Sequence, residues 1–402
     1  MKLHKSYPWV ITVMLAFVAM LNYIDRQMIS TMRPAMQVDI SELTLAANFG
    51  RLMAVFLWVY GSISAFSGVI ADRINRKWLI VASLFIWSTL TLLNAYASTF
   101  QQLYTLRALM GFSEALYFPA ALSLIADYHD HRTRSRAVGI HATGIYLGQV
   151  FGGFGATISK AYSWHTTFLL FGIVGMLYAI VLIFFVHEKE REQNETSFQV
   201  GSHLKSLFTS LPFWIILLYF AIPSLPGWAI KNWAPTLIAN SLHLDMAVAG
   251  PLTTISISLS SFFGVLIGGA MADKWYQSNH KGRIYTSAIG LALTIPALIL
   301  LGFGTSFFHV ISAAIIFGLG FGMFDTNNMP ILCQFVNKNQ RATGYGFLNM
   351  GGIFAGAMIT DFLGKSTDAG HLGRDLAYLS IVVLLIIVVQ LSFLRPKHQH
   401  IE

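Results

Sequence analysis

The chain has 402 residues, 55% of them hydrophobic and 11% charged, with a mean hydropathy of +0.61. That composition excludes a soluble domain of this length, and the net charge of +8 is explained below by loop topology, so it is no argument for nucleic-acid binding. A single cysteine, Cys333, excludes a disulfide framework and a cysteine-based metal site.

Apolar stretches long enough to cross ~30 Å of hydrocarbon as helices recur along the chain. Twelve are expected, at 8–33, 48–71, 78–97, 100–126, 136–159, 165–186, 210–238, 248–272, 284–303, 307–334, 342–364 and 375–394. Lipid offers no partner for an unpaired backbone N–H, so these segments span as helices. The expected class is an all-α polytopic membrane protein. Lys2 and Lys5 precede the first apolar run, but no small-residue cleavage site follows. That run is therefore read as a transmembrane helix and not as a signal peptide.

The first span contains Asn22-Tyr23-Ile24-Asp25-Arg26, with two full charges at membrane depth. Each costs at least ~3 kcal/mol on insertion scales, so such charges are rare and functional by default. A structural ion pair is the alternative. Tyr60 lies in the second span, which ends at Asp72-Arg73, with Arg76 and Lys77 just beyond. The fourth span carries Arg107, Glu114 and Tyr117 and ends near Asp127; Arg136 opens the fifth, which contains Tyr146 and Gln149. A polar, mixed-charge linker over 187–209 divides the chain into expected six-helix halves, 1–186 and 210–402. In the seventh span Pro223, Pro226, Gly227 and Pro235 are expected to break the helix around Lys231. Lys231 stands between Trp228 and Trp233. It is read either as an interface lysine or as a second anion contact. Asp273 closes the eighth span, Asp325, Asn327 and Asn328 lie in the tenth, and Asn349 in the eleventh.

Loop charges orient the chain. With the N-terminus in the cytoplasm, 18 of the 26 Lys and Arg fall on that side, 5 outside and 3 at membrane depth. This positive-inside bias predicts an inner-membrane protein with both termini cytoplasmic.

The halves repeat. Gly68-Val-Ile-Ala-Asp72-Arg73 corresponds to Gly269-Ala-Met-Ala-Asp273-Lys274, and Arg136-Ala-Val-Gly139 to Arg341-Ala-Thr-Gly344. Glu114 precedes Pro119 by five residues, as Asp325 precedes Pro330, and Arg26 corresponds to Lys231. Repeated six-helix halves are a transporter architecture with the ligand at midplane between them. A mixed-sign set of buried charges is tolerated when it pairs internally. A guanidinium grips a carboxylate with two parallel hydrogen bonds, which makes Arg26 the first candidate for an anionic substrate. Burial disfavours the charged form of a carboxyl, so Glu114 and Asp25 are the proton candidates, with Arg107 and Asp325 as partners. A permanent salt bridge from Glu114 to Arg107 or Arg26 is the competing reading. Tyr23, Tyr60, Tyr117, Gln149, Asn328 and Asn349 supply the donors and acceptors that sugar hydroxyls need. Asp72, Arg73, Arg76, Asp127, Arg136 and Asp273 are expected to act in gating, by pairing helix ends.

The segment Gly68-x-x-x-Asp72-Arg73-x-Asn75-Arg76-Lys77 resembles the loop signature of the major facilitator superfamily, with Asn75 where the family has a second glycine. Arg107-Ala-Leu-Met-Gly111 resembles its fourth-helix signature. Tyr23-x-Asp25-Arg26 with Gly111-x-x-Glu114 is similar to the anion:cation symporter family, which takes up sugar acids and other organic anions. There the matching arginine is implicated in anion binding, and Tyr60 and Asn349 fall where that family places sugar-acid contacts. The loop and Ser113-Glu114-Ala115 also resemble the spinster family, whose members move amphiphilic lipids. The resemblance implies a proton-coupled carrier of a small organic anion, with sodium in place of the proton as the alternative. The sequence has no phosphate-binding glycine loop and no nucleophile with a nearby base motif, so no enzyme activity, metal or cofactor is expected, and a monomer is expected. A spinster-like lipid carrier and a non-transporting receptor are the competing readings.

Overall fold

The computed structural model describes residues 6–130, 133–187, 208–336 and 341–394. Most of the linker at 187–209 and the side chain of Asp72 lie outside the described residues. Fifteen α-helices account for nearly all of the described chain. They are α1 (Tyr7–Asp39), α2 (Ala46–Arg73), α3 (Arg76–Asn94), α4 (Phe100–Glu114), α5 (Tyr117–Tyr128), α6 (Arg134–Gly152), α7 (Gly155–Ala161) and α8 (Trp164–Phe185), followed by α9 (Leu211–Leu242), α10 (Met246–Ser278), α11 (Gly282–Phe303), α12 (Phe307–Asp325), α13 (Asn328–Leu332), α14 (Arg341–Asp368) and α15 (Leu372–Phe393). Among the described residues, eleven spans are long and apolar enough to cross a membrane. The remaining expected span is α6 with α7, where glycine and polar residues lower the hydropathy. This is a multi-pass membrane protein.

Two expectations about helix continuity are corrected. The fourth and tenth spans are broken, after Glu114 and after Asp325. Pro119 and Pro330 each occupy the third position of the following half-helix, α5 and α13. A proline there has no N–H for the carbonyl four residues back, and its ring collides with that carbonyl, so the helix restarts. The seventh span is the reverse case. Pro223, Pro226 and Pro235 sit inside α9, which runs unbroken through Lys231. Asn75 has an ordinary negative φ and caps α3 by accepting from the Trp78 amide at 3.1 Å, so a side-chain acceptor replaces the family's glycine.

Gly144 and Gly148 face α1 so closely that a Cβ on either would strike the carbonyl oxygens of Ala16 and Met20. That approach lets α6 pack against α1 along its length. The bundles meet at the end where α1 finishes. There Asp368 accepts hydrogen bonds from the Ala46 and Ala47 amides, at 2.7 and 2.8 Å, and so caps α2 from the other bundle. Lys160 pairs with Asp245 at 2.7 Å, and Thr157 donates to the Ala247 carbonyl at 2.6 Å.

Candidate substrate cavity

A cavity of about 400 Å³ lies between the bundles, lined from α1, α6, α9, α10, α12 and α14. At the closed end, Gln27 donates to the Lys231 carbonyl at 3.0 Å and Ser258 to Gln149 Oε1 at 3.0 Å, so both bonds cross between the halves. In the other direction the cavity reaches Val138 and Tyr345, which are exposed, and it opens there. Among the described residues no ion pair crosses between the halves at the open end. Arg76 pairs with Asp127 inside the first bundle, and Arg283 with Asp273 at 3.2 Å inside the second. Arg73 and Arg136 are exposed.

The charged side chains lining the cavity are Lys231 and Asp325. Lys231 extends over the Trp228 ring, its Nζ 5.0 Å from the centroid. No carboxylate of the described residues lies within 4.0 Å of that Nζ. Asp325 ends α12 at the helix break and accepts from Asn328 Nδ2 at 3.2 Å. Lys231 therefore lines the cavity, with its ammonium over Trp228.

Arg26 sits differently from the expectation. Its Nε donates to Glu114 Oε2 at 2.7 Å, and Asn22 Nδ2 donates to the same oxygen at 2.9 Å. The guanidinium lies over Tyr60, Phe56 and Tyr23, at 4.4, 4.9 and 5.1 Å from their centroids. It therefore stands behind Tyr23, which lines the cavity, while one of its nitrogens, Nη2, is buried without a protein partner. Arg107 shares the Phe56 ring, at 4.7 Å, and has no carboxylate of the described residues within 4.0 Å. Of the two salt bridges considered for Glu114, the one formed is to Arg26. Asp25 is buried and accepts from Thr91 at 3.1 Å.

The polar candidates divide. Tyr23, Gln149 and Tyr146 line the cavity. Tyr60 packs on Arg26. Asn328 is turned to Asp325. Asn349 is half-buried on α14 and lies outside the cavity lining. Tyr117 is fully buried in the first bundle, where its hydroxyl donates to the Leu15 carbonyl at 2.6 Å and meets His141 at 2.9 Å. That packing removes it from the substrate surface. Sequence reasoning missed Asn22 as a partner of Glu114, Thr91 as the partner of Asp25, Phe56 between two guanidiniums, and the cross-bundle bond from Gln27. Asn22 carried a signal: it is a polar residue one turn before the charges in an apolar run. A threonine in an apolar helix and a phenylalanine in a core carry none.

Two six-helix bundles around a central cavity with an internal charge set define a membrane transporter. Residues 15–360 match the model of the Major Facilitator Superfamily, and the chain belongs to that superfamily. It is 25% identical over 407 residues to the hexuronate transporter of Bacillus subtilis (strain 168), covering 94% of this chain and 92% of that one. It is 26% identical over 321 residues to protein spinster homolog 1 of Xenopus laevis, covering 72% of this chain and 59% of that protein. The crystal structure of a bacterial homolog of the human lysosomal transporter spinster, inward-facing and unoccupied, superimposes with a TM-score of 0.81 at 18% identity, over 96% of this chain and 97% of that one. At that identity the likeness is one of fold.

Proposed function

We propose that this chain is a proton-coupled symporter of a small organic anion, a sugar acid or related monocarboxylate, working by alternating access. The observation that carries the reading is Lys231, a cation in the cavity between the bundles with no carboxylate of the described residues within 4.0 Å. A carboxylate entering that space gains a charge-assisted hydrogen bond. Hydroxyls of the same substrate find Tyr23, Tyr146 and Gln149. The proton is assigned to the first bundle, to Asp25, beside Arg107 and the Arg26–Glu114 pair. The similarity to a hexuronate transporter over nearly the whole chain supports the substrate class. The positive-inside bias supports an orientation with the closed end outside and the open end toward the cytoplasm, where Asp127, Arg76 and Asp273 would form the inner gate.

A second reading has its own support. Val138, Ile145, Val265 and Phe321 add apolar lining from both bundles, which suits the chain of an amphiphilic lipid, as does the similarity to spinster. The test is uptake and binding of D-glucuronate by protein in proteoliposomes, with lysophosphatidylcholine as competitor, for wild type and Lys231→Gln. Saturable glucuronate binding lost in Lys231→Gln supports the anion reading. Lysolipid binding without glucuronate binding replaces it.

A further inference from the structure

We infer that Asp325 restricts this cavity to substrates with one carboxylate, and that it accepts a hydrogen bond from a hydroxyl or ammonium group on the same molecule. The inference rests on the anion reading above and adds a selectivity residue to it.

The two bundles carry the same three groups in the same order. An aromatic residue stands three before the cation, Tyr23 before Arg26 and Trp228 before Lys231, with the cation over its ring at 5.1 and 5.0 Å. A carboxylate ends the broken half-helix, Glu114 in one bundle and Asp325 in the other. In the first bundle the cation and carboxylate are joined at 2.7 Å, and Asn22 adds a second donor. In the second bundle they are not joined: both line the cavity, with no ion pair between them within 4.0 Å. The hydrogen bond to Asp325 comes from Asn328, on Oδ1.

The open pair therefore faces whatever enters. A substrate carboxylate on Lys231 uses the only cation among the lining residues. Arg26 is held by Glu114, and Arg107 lies against Phe56. A second carboxylate on the same substrate would meet Asp325 with no further cation to offset it, and like charges brought together across an interface are selected against. A hydroxyl or an ammonium group instead donates to the Asp325 carboxylate, which is an acceptor in its ionised form.

The experiment uses the purified full chain and calorimetry with three probes of the same carbon skeleton: D-gluconate, the zwitterion D-glucosaminate and the dicarboxylate D-glucarate. Gluconate and glucosaminate should bind, and glucarate should bind roughly 30-fold more weakly, the scale of one uncompensated like-charge contact. Asp325→Asn should close most of that gap by strengthening glucarate and weakening glucosaminate. Asp325→Glu keeps the charge and should keep the discrimination, which separates charge from folding damage. Glucarate binding as tightly as gluconate to wild type overturns the inference and leaves the anion reading standing. So does an unchanged ratio in a folded Asp325→Asn protein. Failure of all three probes, with lysophosphatidylcholine bound, overturns the anion reading and this inference with it.

Discussion

Glu114 accepts two hydrogen bonds on one oxygen, from a guanidinium and an amide, and is fully buried. Asp25, one turn along α1 from Asn22, accepts only a threonine hydroxyl among the described residues. The two carboxylates therefore respond differently to neutralisation. Glu114→Gln leaves Arg26 charged, buried and without its anion, which costs ~3–5 kcal/mol when one partner of a buried pair is removed. A thermal melt in detergent should show a clear loss of stability, and exchange and accumulation should fall together. Asp25→Asn removes no salt bridge. It should retain substrate exchange in counterflow assays while losing pH-driven accumulation, because the loaded carrier needs no titration and the return step does. Accumulation retained in Asp25→Asn would move the coupled proton to another carboxyl. At this scale the sequence showed which residue types were present at depth. It did not show that Arg26 would turn to Glu114 and leave Lys231 facing the cavity, because partner choice depends on where three helices cross.

Helix α6 illustrates how an element is positioned by what it lacks. At Gly144 a Cβ would overlap the Ala16 carbonyl, whereas at Gly139, five residues nearer the open end, nothing lies within 4 Å. Gly144→Val should force α1 and α6 apart and cost ~1–3 kcal/mol by overpacking. Gly139→Ala should be neutral or stabilise by ~0.5–1 kcal/mol, since alanine is the better helix former. Melting temperatures of the two variants check this; equal destabilisation would mean that the α1 contact does not set the α6 position. The broken spans belong at the same scale. Pro119 and Pro330 were visible in the sequence as a repeat, yet three prolines in α9 leave that helix whole. The unbroken course of α9 through three prolines is something local proline chemistry alone does not reveal.

Across the whole molecule, the closed end is held by few polar contacts. Asp368 caps α2 from the opposite bundle, a type of contact worth ~1 kcal/mol, and Lys160 meets Asp245 on an exposed rim. Asp368→Ala should shift the population toward the conformer open at that end by about fivefold, the equivalent of ~1 kcal/mol. Labelling of a cysteine at the buried Ala249 by a water-soluble maleimide, in a Cys333→Ser background, reads this out; an unchanged rate would show that the cap does not hold the end shut. The hydrogen bond from Lys160 holds the Asp245 carboxyl below its ordinary range. A lowered carboxyl contributes above the ordinary carboxylate range and loses its contribution as pH falls through its own lower value. The rim pair is therefore intact across neutral pH. The Ala249→Cys labelling rate should not change with pH between about 5 and 8 on its account.

The sequence by itself determined the twelve-span class, the repeat and the buried charges of both signs. Each follows from the cost of placing a peptide or a charge in hydrocarbon, which acts on composition and spacing alone. It also placed Glu114 and Asp325 at equivalent points, five residues before Pro119 and Pro330. Only the tertiary structure decided that the first cation–carboxylate pair is closed and the second open. That choice depends on the Asn22 amide reaching Glu114, on Tyr23 standing in front of Arg26, and on the crossing of α1, α9 and α12 around one space, and no single stretch of the chain contains that geometry.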